Sequence, residues 1–220
     1  MPTLTQISLD VDTTEEALKL AVIADRAGVD WLEAGTGLIT SEGASVVRAL
    51  RQEFPHRPVV ADTKVVDGGE YYVELMAKAG AQFVVIMSGA HEAVLRGATV
   101  AGKKLGVKIM ADIMLESDKV AAAKRAAQLG ADWIVLHLGY DERAQETWRS
   151  PLDGLADVCQ AVTIPVQVVG GLSVEQAIEA AHLGVDSVVI GGPIVPGDWG
   201  AQLEATLSCI IKGVLRSPSP

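Results

Sequence analysis

Short runs of apolar and β-branched residues recur along the chain and alternate with amphipathic stretches rich in Ala, Leu, Glu and Lys. Short apolar runs favour strands that are buried on both faces, and the amphipathic stretches favour helices packed against them. The eight predicted strands are residues 4–9, 29–33, 58–61, 82–87, 107–113, 132–137, 164–169 and 186–190. The eight predicted helices are residues 14–27, 41–54, 69–79, 91–105, 117–129, 151–161, 173–183 and 200–215.

Glycines mark the ends of several predicted helices just before the next strand, namely Gly28, Gly80, Gly106, Gly130 and Gly184. Glycine accepts the left-handed conformation that ends a helix. Because buried strands that alternate with helices require a parallel sheet, eight such units predict a closed (β/α)8 TIM barrel in the α/β class. We expect one domain over residues 1–216 and a short tail over 217–220. A doubly wound open sheet is the alternative.

Composition narrows the class of protein. A hydrophobic fraction of 49% excludes disorder, and no apolar run approaches the roughly 18 residues of a membrane span. The net charge of −10 argues against a nucleic-acid partner. The first residues do not read as a secretory signal. Cys159 and Cys209 show neither pairing nor metal spacing, so we expect a reducing, cytoplasmic setting.

Ionisable side chains follow several predicted strands, where barrel enzymes place their catalytic groups. Asp62 and Lys64 are two residues apart at the end of the third strand, so alternation predicts that both point into the barrel mouth. A buried ion pair without catalytic function is the alternative for this pair. Neighbouring carboxylates at one rim are costly without cations. The carboxylates concerned are Asp10, Asp12, Glu33, Asp62, Asp67, Asp112 and Asp141.

His137 ends the sixth strand, where a general acid or base belongs, and histidine titrates near neutrality. A structural core histidine is the alternative. Asp112 ends the fifth strand and would position His137 or a substrate hydroxyl, or else cap a helix.

Two glycine pairs follow the last two strands, Gly170–Gly171 and Gly191–Gly192. Barrels commonly hold a phosphate group there with backbone N–H groups, and glycine permits close approach. Either pair would also suit a tight turn, but two pairs on adjacent strands favour a phosphate site.

The spacing Asp-x-Lys-x-x-Asp formed by Asp62, Lys64 and Asp67 resembles the signature of the orotidine 5′-monophosphate decarboxylase suprafamily. Leu9-Asp10 and the run Leu-Glu-Ala-Gly-Thr at residues 32–36 resemble its metal-dependent branch. That branch contains the 3-hexulose-6-phosphate synthases and the 3-keto-L-gulonate-6-phosphate decarboxylases. The segment from His137 to Ala144 and the two glycine pairs are most similar to the synthases, and the similarity spans essentially the whole chain.

The resemblance implies a function for each candidate residue. Glu33 and Asp62 would bind Mg²⁺, or Mn²⁺, through hard carboxylate oxygens, and the alternative for Glu33 is an ion pair with Lys64. Lys64 would stabilise an oxyanion. Asp67 would reach into the neighbouring subunit's site in a homodimer, and Asp10 would hold Lys64 or a substrate hydroxyl. Asp141 would contact the substrate, a small phosphorylated sugar.

The expected reaction is aldol addition of ribulose 5-phosphate to formaldehyde through a 1,2-enediolate. One alternative is decarboxylation of a 3-keto sugar-acid phosphate, and another is a non-catalytic barrel that binds a sugar phosphate. Several residues depart from the synthase pattern on the substrate side: Gly37 stands in place of Pro, Leu138 in place of Thr and Arg143 in place of Gln. Gly192 stands where the keto-gulonate enzymes carry Arg. Trp148 or Trp199 is a candidate lid residue, and packing between helices is the alternative for either.

Overall fold

The computed structural model describes residues 2–192, 194–195 and 199–215. Eight parallel strands form a closed barrel in sequence order, and β8 pairs with β1. This confirms the predicted (β/α)8 barrel and excludes the open sheet. The predicted tail lies outside the described residues, so the domain boundary stays a prediction. The strands are β1 (Leu4–Leu9), β2 (Trp31–Ala34), β3 (Val59–Val65), β4 (Phe83–Met87), β5 (Lys108–Asp112), β6 (Trp133–His137), β7 (Val166–Val169) and β8 (Ser187–Ile190).

Helices surround the barrel, and their left-handed glycines include all five that were expected at helix ends. Within the described residues no helix is both long and apolar enough to cross a membrane. The helices are α1 (Thr14–Ala27), α2 (Thr36–Glu42), α3 (Ala44–Glu53), α4 (Gly69–Ala79), α5 (Glu92–Leu105), α6 (Lys119–Gln128), α7 (Tyr140–Gln145), α8 (Leu155–Ala161), α9 (Val174–His182) and α10 (Ala201–Leu215).

Two connections differ from the expected pattern. The predicted helix over residues 41–54 is divided into α2 and α3 at Gly43, whose φ of 65° and ψ of −159° are open essentially to glycine only. The predicted helix over residues 151–161 begins only at Leu155, and the preceding loop contains the short helix α7. Both extra helices, α2 and α7, follow strand ends, so they add residues to the carboxyl end of the barrel.

The barrel interior is apolar at its amino end. Trp31, Phe83 and Trp133 begin alternate strands, and Trp31 stacks on Phe83 at 4.3 Å and meets Trp133 edge-on at 5.0 Å between ring centroids. Val60 and Met110 pack above these rings. Because this layer fills the lower barrel, the space left for polar chemistry lies at the carboxyl ends of the strands.

Two glycines of α5 provide a matched test of helix packing. A Cβ on Gly102 would lie 2.7 Å from the backbone oxygen of Val107, whereas one on Gly97 would meet only ordinary contacts at 3.6 Å. We expect Gly102→Ala to destabilise the fold by about 1–3 kcal/mol through overpacking. Gly97→Ala should be neutral or stabilising by up to about 1 kcal/mol, because alanine favours the helix. Urea unfolding of the two variants measures the difference, and equal effects would contradict the close packing of α5 on β5.

Candidate active site

A cavity of about 520 Å³ opens at the carboxyl ends of the strands. Of the predicted site residues, those that line it are Asp10, Glu33, Asp62, Lys64, Asp112, His137, Asp141, Gly170, Gly171 and Gly192. Gly191 lies beside it, because a Cβ at that position would be 3.5 Å from Oδ2 of Asp10. Asp67 lies outside it. The fold therefore brings together residues from most of the strand ends, as the barrel prediction requires.

Lys64 reaches the cavity through a distorted strand end. The pairing of β3 with β4 shifts register between Asp62 and Val65. Lys64 has a φ of 45°, which no other non-glycine residue in the described chain shares in the positive range. That conformation costs roughly 1–2 kcal/mol. Both Asp62 and Lys64 line the cavity, as expected. Regular strand alternation is not the reason, because the backbone irregularity changes the direction of the Lys64 side chain.

The ammonium of Lys64 is held between two carboxylates. It donates a hydrogen bond to Asp62 and lies 3.6 Å from Oδ2 of Asp112. Burial works to lower the pKa of Lys64, but these two carboxylates outweigh it and hold the pKa above its usual range. Lys64 therefore stays protonated. Its ion partners are Asp62 and Asp112 rather than Asp10, whose carboxylate hydrogen bonds with Ser8 instead.

Three carboxylates lie close together in the cavity beside Lys64. Glu33 and Asp62 are buried, and Asp10 lies at the mouth. The pKa of Glu33 is raised well above its usual value by burial and then by the charges of Asp62 and Asp10. Oδ1 of Asp62 is buried without a hydrogen-bond partner in the described part of the chain. This local excess of negative charge, with a free carboxylate oxygen, suits a bound cation.

The donor set at this wall fits a hard divalent cation that keeps part of its water shell. Within the described ranges there is no group of three or more His, Cys, Asp or Glu residues that would enclose a metal ion. Glu33 and Asp62 come from adjacent strands, and the cavity beside them is open. Mg²⁺ is usually bound by one or two carboxylates and completes its shell with water or substrate oxygens. Two carboxylates beside open space match that preference.

A buried amide chain that the sequence reasoning missed orients Glu33. Gln6 donates from Nε2 to Glu33, while its Oε1 accepts from Nε2 of Gln167 at 2.9 Å. Gln167 also lies 3.1 Å from the hydroxyl of Ser187. Because its oxygen is already occupied, Gln6 presents its NH₂ group to Glu33, which favours the carboxylate form. Glu33 is therefore bound by Gln6, and the alternative of an ion pair between Glu33 and Lys64 is wrong. The available sequence signal was a glutamine in each of two predicted strands.

His137 and Asp112 form a hydrogen-bonded pair. Nδ1 of His137 lies 2.8 Å from Oδ2 of Asp112, and Oδ1 of Asp112 accepts the backbone N–H of Met114 at 2.8 Å. Complete burial works to raise the pKa of Asp112, but His137, Lys64 and the Met114 N–H together hold it below its usual value. The charged carboxylate keeps the proton on Nδ1, so Nε2 is the atom available for proton transfer.

The alternative function for Asp112 as a helix cap is wrong, because Asp118 caps the next helix, α6. Asp112 instead contacts both His137 and Lys64. The positioning of His137 by Asp112 stays a prediction, and the contact between the two side chains is what it requires.

Backbone conformation and close packing explain why glycine occupies both positions after β7. Gly170 has a φ of 131°, and a Cβ there would lie 2.5 Å from the backbone oxygen of Leu138. Gly171 has a φ of 73°, and a Cβ there would overlap the guanidinium of Arg143. After β8, a Cβ on Gly192 would meet open space. A tight turn thus explains Gly170–Gly171 without a ligand, whereas Gly192 has no such packing requirement.

Three further residues complete the placement. Asp67 is exposed and accepts the N–H of Gly68 at 2.8 Å, in a shallow surface groove between α4 and α5. Trp148 is 80% exposed, and Trp199 packs partly buried against the core. Neither tryptophan lines the main cavity, but Trp199 lines an adjoining pocket that shares Ser8, Asp10 and Gly192 with it. Sequence reasoning also missed α7, which brings Tyr140 and Arg143 to the cavity.

Curated relatives resemble this chain over nearly its full length. The 3-hexulose-6-phosphate synthase of Mycobacterium gastri is 33% identical over 208 residues, which cover 92% of this chain and 99% of the relative. The 3-hexulose-6-phosphate synthase of Staphylococcus epidermidis is 32% identical and covers 94% of this chain and 98% of its own.

A solved structure agrees with these relatives. The crystal structure of 3-hexulose-6-phosphate synthase from Salmonella typhimurium superposes with a TM-score of 0.89 at 28% identity, and covers 99% of this chain and 100% of its own. The sequence model of the orotidine 5′-phosphate decarboxylase / HUMPS family matches residues 3–198. The protein with this carboxylate-lined barrel mouth therefore belongs to the orotidine 5′-phosphate decarboxylase / HUMPS family.

Proposed function

We propose that this protein is an aldolase of the 3-hexulose-6-phosphate synthase type, which joins ribulose 5-phosphate to formaldehyde through a 1,2-enediolate. The observation that carries the proposal is the His137–Asp112 pair in the same cavity as Glu33, Asp62 and the protonated Lys64. A base and a cluster of charges suited to an oxyanion and its cation are the two requirements of enolisation. The names of the relatives support the same reaction.

Glu33 and Asp62 would hold a divalent cation, Mg²⁺ or Mn²⁺, since both metals suit carboxylate and sugar oxygens. When bound, the cation supplies positive charge that stabilises the two oxygens of an enediolate. The free Oδ1 of Asp62 and the raised pKa of Glu33 support this assignment. Gln6 keeps Glu33 oriented toward the same space.

The protein's own groups then divide the chemistry. Nε2 of His137 takes the proton from C1 of the sugar, and the electron pair of that C–H bond moves into the enediolate. Asp112 stabilises the imidazolium that forms. C1 attacks formaldehyde to form the carbon–carbon bond, and the new alkoxide takes the proton back from His137. Lys64, held protonated, donates a hydrogen bond to the oxygen that gains charge. Asp10 and Asp141, both lining the cavity, would bind sugar hydroxyls.

The proposed assembly is a homodimer with shared sites. Asp67 lies outside the cavity of its own chain, and Tyr71 beside it is 64% exposed. An exposed aromatic beside a predicted catalytic acid is consistent with a surface that a second subunit covers. The free thiols of Cys159 and Cys209 fit a reducing, cytoplasmic setting.

Deuterium exchange tests the proposed reaction. We expect the protein with Mg²⁺ to exchange the C1 proton of ribulose 5-phosphate, observed by NMR, and to form a hexulose phosphate when formaldehyde is added. His137→Asn should slow exchange by about 10²- to 10⁴-fold, because the amide keeps the hydrogen bond to Asp112 but cannot act as a base. His56→Asn, on an exposed loop, is the matched control and should exchange normally.

Each other outcome of that experiment favours an alternative. Exchange without aldol product would favour the decarboxylation of a keto sugar-acid phosphate, which shares the enediolate. Binding of the sugar phosphate with neither exchange nor decarboxylation would favour the non-catalytic barrel.

Metal dependence should follow the charge of Glu33. Its folded pKa lies above the usual value of 4.5, so in metal-free protein its contribution to stability is lost as pH rises through the folded pKa. Metal binding needs the ionised carboxylate, so the rise in Tm caused by Mg²⁺ should grow over the same pH window. Glu33→Gln should raise the Tm of metal-free protein, abolish the Mg²⁺ response and cut turnover by about 100-fold or more. Thermal unfolding with EDTA or Mg²⁺ measures these changes in Tm.

The control is Glu15→Gln, on the exposed face of α1, which should behave as wild type. An unchanged Mg²⁺ response in Glu33→Gln would refute the assignment of Glu33 as a metal ligand.

Mixed dimers test whether Asp67 acts across subunits. Asp67→Asn and Glu33→Gln homodimers should each be inactive. When the two are unfolded and refolded together, half of the dimers are mixed, and each has one site that combines an intact Glu33 with an intact Asp67 of the other subunit. We therefore expect recovery of about a quarter of the wild-type activity. No recovery, with mixed dimers verified by mass, would place Asp67 in the site of its own chain.

A further inference from the structure

Arg143 places an uncommitted positive charge in the cavity. Its guanidinium lines the cavity and forms neither an ion pair nor a hydrogen bond with any residue in the described part of the chain. The ring of Tyr140 lies beside it, 5.7 Å from Cζ to the ring centroid. Arg149, on the same connection, is by contrast paired with Glu142 and Glu146. A half-buried guanidinium without a protein partner keeps its N–H donors available to a ligand in the cavity.

The guanidinium lies directly on the backbone of the loop after β7. The position that a Cβ would occupy on Gly171 is 1.1 Å from Nη1 and 2.3 Å from Cζ of Arg143. Any side chain at position 171 would therefore displace Arg143. Although the φ of Gly171 already favours glycine, this contact gives a second, independent reason for glycine, and it joins the β7 loop and α7 into one corner of the cavity.

Charge separates this corner from the rest of the cavity. The carboxylates of Glu33, Asp62 and Asp112 lie at the ends of β2, β3 and β5, and Lys64 is committed to two of them. A dianion would be repelled by that wall. Of the cationic side chains that line the cavity in the described residues, Arg143 is the one without a carboxylate partner. A guanidinium also matches a phosphate group geometrically, since it can donate two parallel hydrogen bonds.

We propose that Arg143 binds the phosphate group of the substrate at the Gly170–Gly171 corner, and so sets the direction in which the sugar lies in the cavity. The phosphate end then occupies the β7–α7 side, and the reacting end faces His137 and the carboxylates. The inference deepens the proposed function and rests on it for the identity of the sugar, whereas the phosphate contact itself does not depend on the reaction.

The test compares Arg143→Gln and Arg143→Lys with the control Arg149→Gln. Inorganic phosphate and ribulose 5-phosphate are titrated by calorimetry in the presence of Mg²⁺, with unphosphorylated ribulose as the neutral probe. We expect Arg143→Gln to weaken the binding of both phosphate ligands by about 10- to 100-fold, because charge-assisted hydrogen bonds are lost. The binding of ribulose should not change. Arg143→Lys, which keeps the charge but loses the two-pronged geometry, should be intermediate, and Arg149→Gln should bind as wild type.

Kinetics and folding controls separate binding from a structural effect. In Arg143→Gln we expect the KM for ribulose 5-phosphate to rise while kcat changes by only a few-fold, with the circular dichroism spectrum and Tm as in wild type. Equal phosphate affinity in Arg143→Gln and wild type would overturn the proposal, as would equal weakening of ribulose itself or the absence of phosphate binding by wild type. Arg143-dependent phosphate binding without C1 exchange would refute the proposed reaction and leave the Arg143 inference standing.

Discussion

The site depends on the electrostatic cost of placing several carboxylates in one apolar barrel. Glu33, Asp62 and Asp112 are almost completely removed from solvent, and neighbouring negative charges in such a setting are stable only with compensating cations. Lys64 supplies one, and the strained backbone at φ 45° is retained because it directs the ammonium between two of the three. The remaining charge at Glu33 and Asp62 is what makes this wall suitable for a divalent ion.

Asp112 connects the two functional halves of that arrangement. It contacts Lys64 on one side and His137 on the other, and its second oxygen is fixed by the N–H of Met114. A shift of Asp112 would therefore move the imidazole of His137 and the ammonium of Lys64 together. Gln6 orients Glu33 in a similar way, because its oxygen accepts from Gln167 while its nitrogen donates to Glu33.

The architecture also explains why the polar groups are confined to one end. The ring layer of Trp31, Phe83 and Trp133 fills the amino end of the barrel, so the main cavity lies at the carboxyl end. There, α2 and α7 follow strand ends directly and bring Thr36 and Arg143 to the cavity. Thr36 donates to Asp62 at 2.9 Å, while Arg143 lies against Gly171. The carboxylate wall and the cationic corner thus come from different connections of one scaffold.

The barrel could be predicted from the sequence, because alternating apolar runs and amphipathic helices with glycine ends have few other solutions in 220 residues. The sequence also predicted that acids, Lys64 and His137 would meet at one rim, since the rule for strand ends is independent of side-chain detail. The partners of these side chains became known only from the folded chain: Lys64 of β3 contacts Asp112 of β5, and Gln6 rather than Lys64 contacts Glu33. Sequence patterns also did not predict three further features: the backbone irregularity at Lys64, the break at Gly43 and the contact of Arg143 with Gly171. Those features depend on distances between residues far apart in the chain, and local propensity and periodicity do not encode such distances.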